Sequence, residues 1–449
     1  MRSAVLLSLA VLFVAYAEVA CPAPLGAVRG ELSPAQMRED LVYLRDTFGV
    51  RDKSFDTQDR VALNALVNDA IAHVDSLDMT HFGLLVARAV AISRNSHTAA
   101  QPLVLFHEMP LRLWWFADGL YVVKAHPDDA ELIGARIDRI GDLTPEEALT
   151  RLTPYLSGHK NWVKVLSSVW LTFLEPLHAV GASQSDVEVA IAVRLANGTQ
   201  KTVTLHAQPS VDPSPTRDLW GALIPDDKLL PGRWPHALDG AATPLAYQPP
   251  VDFAGEMIGG GKRVLYIRSN VIVPLGTESF DQRMAPVLQT LMKERPTNVV
   301  MDLRLNTGGN FYNTLLLTEG LPRLVPKTGH LYVLMDGVTH SAALVTAARL
   351  KYFGEGRTVF VGSPVSDPGD FWAEGGDMTL PNSHMAVSYA AQFEDWEKGC
   401  DDLDKCFWLS VAFGVKNVSF VPDILLEPTF RDYAAGRDPV LDAVLARIQ

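Results

Sequence analysis

Apolar residues recur at helical spacing early in the chain. Leu41, Leu44 and Phe48 share one face of a helix that opens at Ser33-Pro34, a capping residue followed by a first-turn proline. Val61 to Val74 and Phe82 to Ile92 repeat the pattern. A helical N-terminal domain ending near residue 100 is the simplest reading. From 101 to 207 the period shortens. Leu111 to Phe116, Leu120 to Lys124, Val187 to Val193, and Thr202 to Leu205 after Asn197-Gly198 read as short strands. Residues 208–255 carry nine prolines, which marks either a linker or an extended segment wrapped on a neighbour.

From 256 to 449 strands and helices alternate. Arg263 to Ser269, Asn298 to Leu305, His330 to Met335 and Thr358 to Gly362 read as strands. Glu278 to Glu294, Phe311 to Glu319 and Ser341 to Phe353 read as the helices between them. This alternation predicts an α/β layer structure. In the middle region, Leu132-Ile133-Gly134-Ala135-Arg136-Ile137-Asp138-Arg139-Ile140-Gly141 precedes a helix capped by Thr144. That run resembles a PDZ-type module with 157–180 as an insertion; a small α+β spacer is the alternative. Such modules accept extended peptide ends by strand addition.

The start of the chain changes the picture. Arg2, the apolar stretch Ala4 to Ala15 and the small-residue site Ala15-Tyr16-Ala17 predict a secretory signal over 1–17, with an uncleaved anchor as the alternative. No later stretch reaches the roughly 18 apolar residues a membrane span needs. A soluble periplasmic or secreted protein is therefore expected, without a stable span after signal cleavage. Cys21 is preceded by Glu18-Val19-Ala20, a poor lipidation signal. The chain has 449 residues, 20% of them charged and 48% hydrophobic, with a formal charge of −13. Lys and Arg are not clustered, so a nucleic-acid partner is not expected. Three cysteines are too few for a disulfide scaffold. Cys400 and Cys406 fit either a short-loop disulfide or two free thiols. No signal for an oligomeric state is visible.

Two loops carry candidate chemistry. The first is Asp302-Leu303-Arg304-Leu305-Asn306-Thr307-Gly308-Gly309, at the end of a buried strand. Paired glycines turn the backbone sharply and leave amides able to hold an anion. The second is Thr339-His340-Ser341-Ala342-Ala343, between a strand and a helix. Ser341 is placed either as a nucleophile at the positive end of the helix or simply as its N-cap. No Gly-x-Ser-x-Gly elbow, His-Glu-x-x-His or phosphate-cradling Gly-x-x-x-x-Gly-Lys occurs. Neither a metal nor another cofactor is expected.

Taken together the loops resemble the tail-specific (C-terminal processing) and tricorn-type serine peptidase family. Asp302, Arg304, Asn306, Gly308 and Gly309 match one motif; Thr339, Ser341, Ala342 and Ala343 match the nucleophile loop. Val361-Gly362, Leu380 to Ser383, Pro422-Asp423-Ile424 and Gly436 to Leu441 follow in order. The resemblance implies a multidomain α/β protein with a crotonase/ClpP-like spiral core over 256–449. It implies Ser341 as nucleophile and Gly308, Gly309 and Ala342 as the oxyanion hole. Upstream, Ser93-Arg94-Asn95-Ser96-His97-Thr98 is similar to the segment that carries the general base in tricorn-like members. His97 is thereby the candidate base and Ser96 an orienting residue. The expected activity is cleavage of peptides or unfolded protein segments by acyl transfer. The alternatives are a peptide-binding protein on the same scaffold and an esterase-like acyl hydrolase.

The match has gaps. The processing proteases use a Lys about 25 residues past the serine, where this chain has Ser366 in Val365-Ser366-Asp367-Pro368. Tricorn's Glu before Pro-Asp is missing, leaving Glu374 or Glu394 as substitutes. The gaps leave the proton relay less defined than the nucleophile.

Overall fold

A computed structural model describes residues 31–209, 219, 221–225 and 234–448. The proposed signal and Cys21 lie outside the described residues. Three N-terminal helices, α1 (Pro34–Tyr43), α2 (Thr57–Ala72) and α3 (Met79–Ala91), begin at Ser33, Asp56 and Asp78. Each of these side chains accepts a backbone N–H of the first turn, which satisfies a donor the helix cannot. Leu41, Leu44, Phe48, Leu63, Val67, Phe82 and Val86 bury together.

The middle region is a five-stranded antiparallel meander in chain order. Its strands are β1 (Leu111–Phe116), β2 (Gly119–Ala125), β3 (Arg136–Ile140), β4 (Glu188–Arg194) and β5 (Gln200–His206). Helix α4 (Pro145–Leu152) carries a capping box between Thr144 and Glu147. The stretch read as an insertion contains α5 (Lys160–Trp170), which packs on β1. The described part of the proline-rich stretch is wrapped on this unit, with Leu219, Leu223, Leu238 and Tyr247 buried in its core.

The last unit is built on a six-stranded sheet. Its strands are β6 (Ala254–Ile258), β7 (Val264–Arg268), β8 (Asn298–Asp302), β9 (Leu331–Met335), β10 (Thr358–Gly362) and, further on, the short strand Ile424–Leu425. The spatial order is Ile424–Leu425, β10, β9, β8, β7, β6; only β6 runs antiparallel. Helices α6 (Phe280–Glu294), α7 (Leu315–Leu324) and α8 (Ala342–Phe353) connect the parallel strands. β7 to β9 are buried at every position, which is why they read as continuous apolar runs rather than alternating ones. The strand expected to reach Leu305 stops at Asp302, because the Asp302 carboxylate accepts the Arg304 amide and Leu305 turns to φ 56°. Helix α7 starts later than expected. A 3-10 turn over Phe311–Thr314 precedes it, with the Asn310 side chain accepting the Tyr312 amide.

Candidate active site

The loops that follow β8, β9 and β10 leave the sheet side by side, the usual place for a site in an α/β sheet. The loop after β8 is laced to its neighbours. Asn306 Oδ1 accepts the Gly308 amide at 2.8 Å, Asn306 Nδ2 donates to the Ser269 carbonyl, and the Gly308 carbonyl accepts Ile272 N–H at 2.7 Å. The Gly308 amide is therefore engaged. Those of Gly309 and Ala342 donate to no described residue. Gly308 has to be glycine: its φ is +97°, and a Cβ there would sit 2.6 Å from Ser341 Cβ.

The loop after β9 is fixed by Asp336. Its carboxylate accepts the amides of Leu305, Val338 and Thr339, and Thr339 Oγ1 donates to the Leu303 carbonyl. Ser341 follows at φ 53°, ψ −124°, a conformation costly for any residue with a Cβ. It occupies the N-cap position of α8, yet its hydroxyl makes no capping bond. The simplest role for a serine at that place is thus not the one it performs. The backbone is that of a sharp strand-to-helix elbow, formed here without the flanking glycines that usually announce one.

His97 comes from the segment after α3. Its ring stacks on His340, the residue before Ser341, with centroids 4.5 Å apart, and on Phe371 at 5.1 Å. Trp162 of α5 covers the other face of His340 at 4.6 Å. His97 Nδ1 lies 3.3 Å from Ser96 Oγ, and its Nε2 is buried without a partner among the described residues. The Ser341 hydroxyl is therefore not hydrogen-bonded to Nε2. Burial, together with the neighbouring His340, lowers the His97 pKa to about 3, with Asp367 acting in the opposite direction. The ring is neutral at physiological pH. Ser96, His97, Gln101, Trp162, Thr307 and His340 line one cleft of about 300 Å³.

Two residues of this cluster were not foreseen from the sequence. Asp367, in the loop after β10, accepts the Ser96 hydroxyl at 2.7 Å and faces His340 Nε2 at 3.2 Å. His340 Nε2 lies 2.8 Å from the same hydroxyl. The signal available was an acid five residues beyond Val361-Gly362, at the open end of a buried strand. Glu374 and Glu394, the acids considered instead, make no hydrogen bond to Ser96, His97 or His340. Glu394 accepts the Trp396 indole N–H, and burial pushes it up to about 8. His97, His340 and Asp367 converge closely enough to suggest metal ligands. The Ser96 hydroxyl already stands among the three within hydrogen-bond reach of each, so the convergence is accounted for without an ion.

Cys400 and Cys406 form a disulfide. No helix among the described residues is long and apolar enough to cross a membrane.

The arrangement is a mixed α/β fold of known type. No family model matches the sequence and no curated protein matches it. Solved structures do. The structure of mature CPAF complexed with lactacystin is 15% identical, with 92% of this chain and 98% of that one covered at a TM-score of 0.57. A serine-to-alanine mutant of CPAF is 12% identical, with 92% and 97% covered at 0.59. The photosystem II D1 C-terminal processing protease is matched at 13% identity, 89% and 98% coverage and a TM-score of 0.39. The two CPAF matches show that this chain shares the CPAF fold over nearly its full length.

Proposed function

We propose that the protein is an exported serine-type peptidase of the tail-specific/tricorn-like kind, acting on peptides or unfolded protein segments. The observation that carries this is Ser341, held in an unfavourable backbone conformation with its hydroxyl making no capping bond to the helix it opens, beside a glycine whose missing side chain makes room for it. His97 is the general base. It takes the Ser341 proton on Nε2 as Oγ bonds to the peptide carbonyl carbon, and the carbonyl oxygen gains the negative charge. The Gly309 and Ala342 amides stabilise that oxyanion, with Ala342 at the first turn of α8. Collapse breaks the C–N bond, His97 returns the proton to the departing amine, and water then releases the acyl group by the reverse use of the same base. Closing the Ser341–His97 bond belongs to the substrate complex, since such contacts often tighten only there.

In this reading the last unit is the crotonase-like core and the antiparallel meander is the PDZ-like module that receives a peptide end. A non-catalytic peptide- or ligand-binding protein on the same scaffold is the second reading, favoured by the unmade Ser341–His97 bond. Fluorophosphonate labelling and cleavage of an unfolded protein separate the two. Labelling and cleavage that are both lost in Ser341→Ala are expected. A wild-type serine that never labels, with peptides bound but uncut, would leave only the binding protein.

A further inference from the structure

We infer that Asp367 is a positioning residue for the base, holding His97 through the Ser96 hydroxyl in the tautomer that leaves Nε2 bare, and that His340 locks the same hydroxyl as its second donor. The inference rests on the peptidase reading for its consequence and on proton counting for its content.

Ser96 Oγ has one proton to give and two lone pairs to receive with. Three groups reach it: Asp367 Oδ2 at 2.7 Å, His340 Nε2 at 2.8 Å and His97 Nδ1 at 3.3 Å. Burial alone would raise the Asp367 pKa, but the hydrogen bond and charge of His340, with His97 and Ser96, bring it below the ordinary carboxylate value. Asp367 is thus a carboxylate and can only accept. The single Ser96 proton must point at it, because two lone pairs facing each other at 2.7 Å would repel. Both imidazoles must then donate to Ser96. For His97 this means Nδ1–H, which leaves the lone pair on Nε2, the buried atom that no described residue touches. With both lone pairs taken, the hydroxyl has no second orientation to adopt.

The loop that carries Asp367 is held against the nucleophile loop. Ser366 Oγ donates to the Thr339 carbonyl at 2.8 Å, and Asn161 of α5 donates to the Val365 carbonyl at 2.8 Å. The titratable groups that face His97 are His340 from the loop after β9 and Asp367 from the loop after β10. Phe371 and Trp162 present aromatic faces. Of these groups only Asp367 favours the imidazolium that forms when the Ser341 proton arrives. Removing its charge leaves a bare but weaker base.

The test begins with the wild-type protein. Nitrogen NMR of ¹⁵N-histidine-labelled enzyme at neutral pH should find His97 protonated at Nδ1 and not at Nε2; the opposite tautomer overturns the inference whatever the variants do. Asp367→Asn should lower kcat for peptide cleavage by about 10²–10⁴-fold with KM nearly unchanged. The acidic limb of its pH profile should move to lower pH. His340→Phe, which retains an aromatic ring between His97 and Trp162, should cost about tenfold, the worth of one hydrogen bond. Asp367→Glu should recover part of the loss. An Asp367→Asn enzyme with wild-type kcat and pH profile refutes the positioning role while Ser341-dependent cleavage still stands. A wild-type protein that neither labels nor cleaves refutes the peptidase reading instead, and the NMR result then decides the tautomer alone.

Discussion

Gly308→Ala tests the geometry around Ser341, the proposed nucleophile, directly. A Cβ on residue 308 would lie 2.6 Å from Ser341 Cβ, 3.0 Å from the His340 carbonyl and 3.2 Å from the Ala342 amide. Ordinary contact for such a pair begins near 3.4 Å, so one loop must move by close to 1 Å. The Gly308 loop is pinned by Asn306 and Ile272 and the Ser341 loop by Asp336, so neither can give way freely. A misplacement of about 1 Å at reacting groups costs roughly 10²-fold in rate. The variant should therefore lose about two orders of magnitude in kcat/KM and in the rate of fluorophosphonate labelling. Gly198→Ala is the control. Its φ of +86° imposes a similar backbone penalty, but nothing lies within 4 Å of the added carbon. It should lose about 1 kcal/mol of stability or a little more and keep full labelling. Thermal unfolding of both variants separates misplacement from loss of fold. A Gly308→Ala protein that labels at the wild-type rate would show that the close approach has no part in positioning Ser341.

Two further outcomes concern stability. Glu394 has a folded pKa of about 8, raised first by burial and further by Glu374, with the Trp396 N–H opposing. The folded state thus keeps a proton that the unfolded chain releases near pH 4.5. Stability is lost as pH rises from there through 8, by about 5 kcal/mol in all; Glu394→Gln should remove this slope in urea titrations, and parallel pH curves for the two proteins would contradict it. Arg304, 5% exposed, pairs with Asp302 and bidentately with Asp438 at 2.7–2.8 Å. Arg304→Met leaves two buried carboxylates without their cation and should cost about 3–5 kcal/mol. A loss below 1 kcal/mol would show that the network is solvated.

The hydrophobic pattern made the parallel strands and their helices legible because β7, β8 and β9 are buried on both faces and need apolar residues throughout. The two glycine and serine loops were legible because their residues serve local backbone needs: a positive φ at 308, a free amide at 342. Asp367 was not, because its role depends on a side chain 271 positions away in sequence and nothing beside it in the chain points there. The same holds for Trp162, whose stretch reads as an insertion yet closes the site over His340. The engagement of the Gly308 amide by Asn306 was likewise hidden, since a paired glycine shows freedom of conformation and not which of its amides is left over.

The division into separate N-terminal and C-terminal domains also follows chain order more than packing. The hairpin formed by the strands Gly376–Thr379 and Ala386–Tyr389 belongs to the late part of the chain, yet Met378, Leu380, Met385 and Val387 are buried among the N-terminal helices. Its turn, Leu380 to Ser383, is bound by Asp40 of α1, which accepts the amides of Asn382 and Ser383 at 2.8 Å. Just past His97, Ala99 and Ala100 pair with Ser388 and Val387. Asn95, just before it, accepts the Trp372 amide. His97, the proposed base, is therefore flanked on both sides by hydrogen bonds to the same late segment, through the Asn95 side chain before it and the Ala99–Ala100 backbone after it. Swinging the N-terminal helices away would break these bonds and expose the shared core. In the proposed mechanism the Ser341–His97 bond is therefore expected to close by movement of side chains and loops, which leaves these contacts intact, and the cleft that His97 lines with Gln101, Trp162 and Thr307 is the proposed way in for substrate.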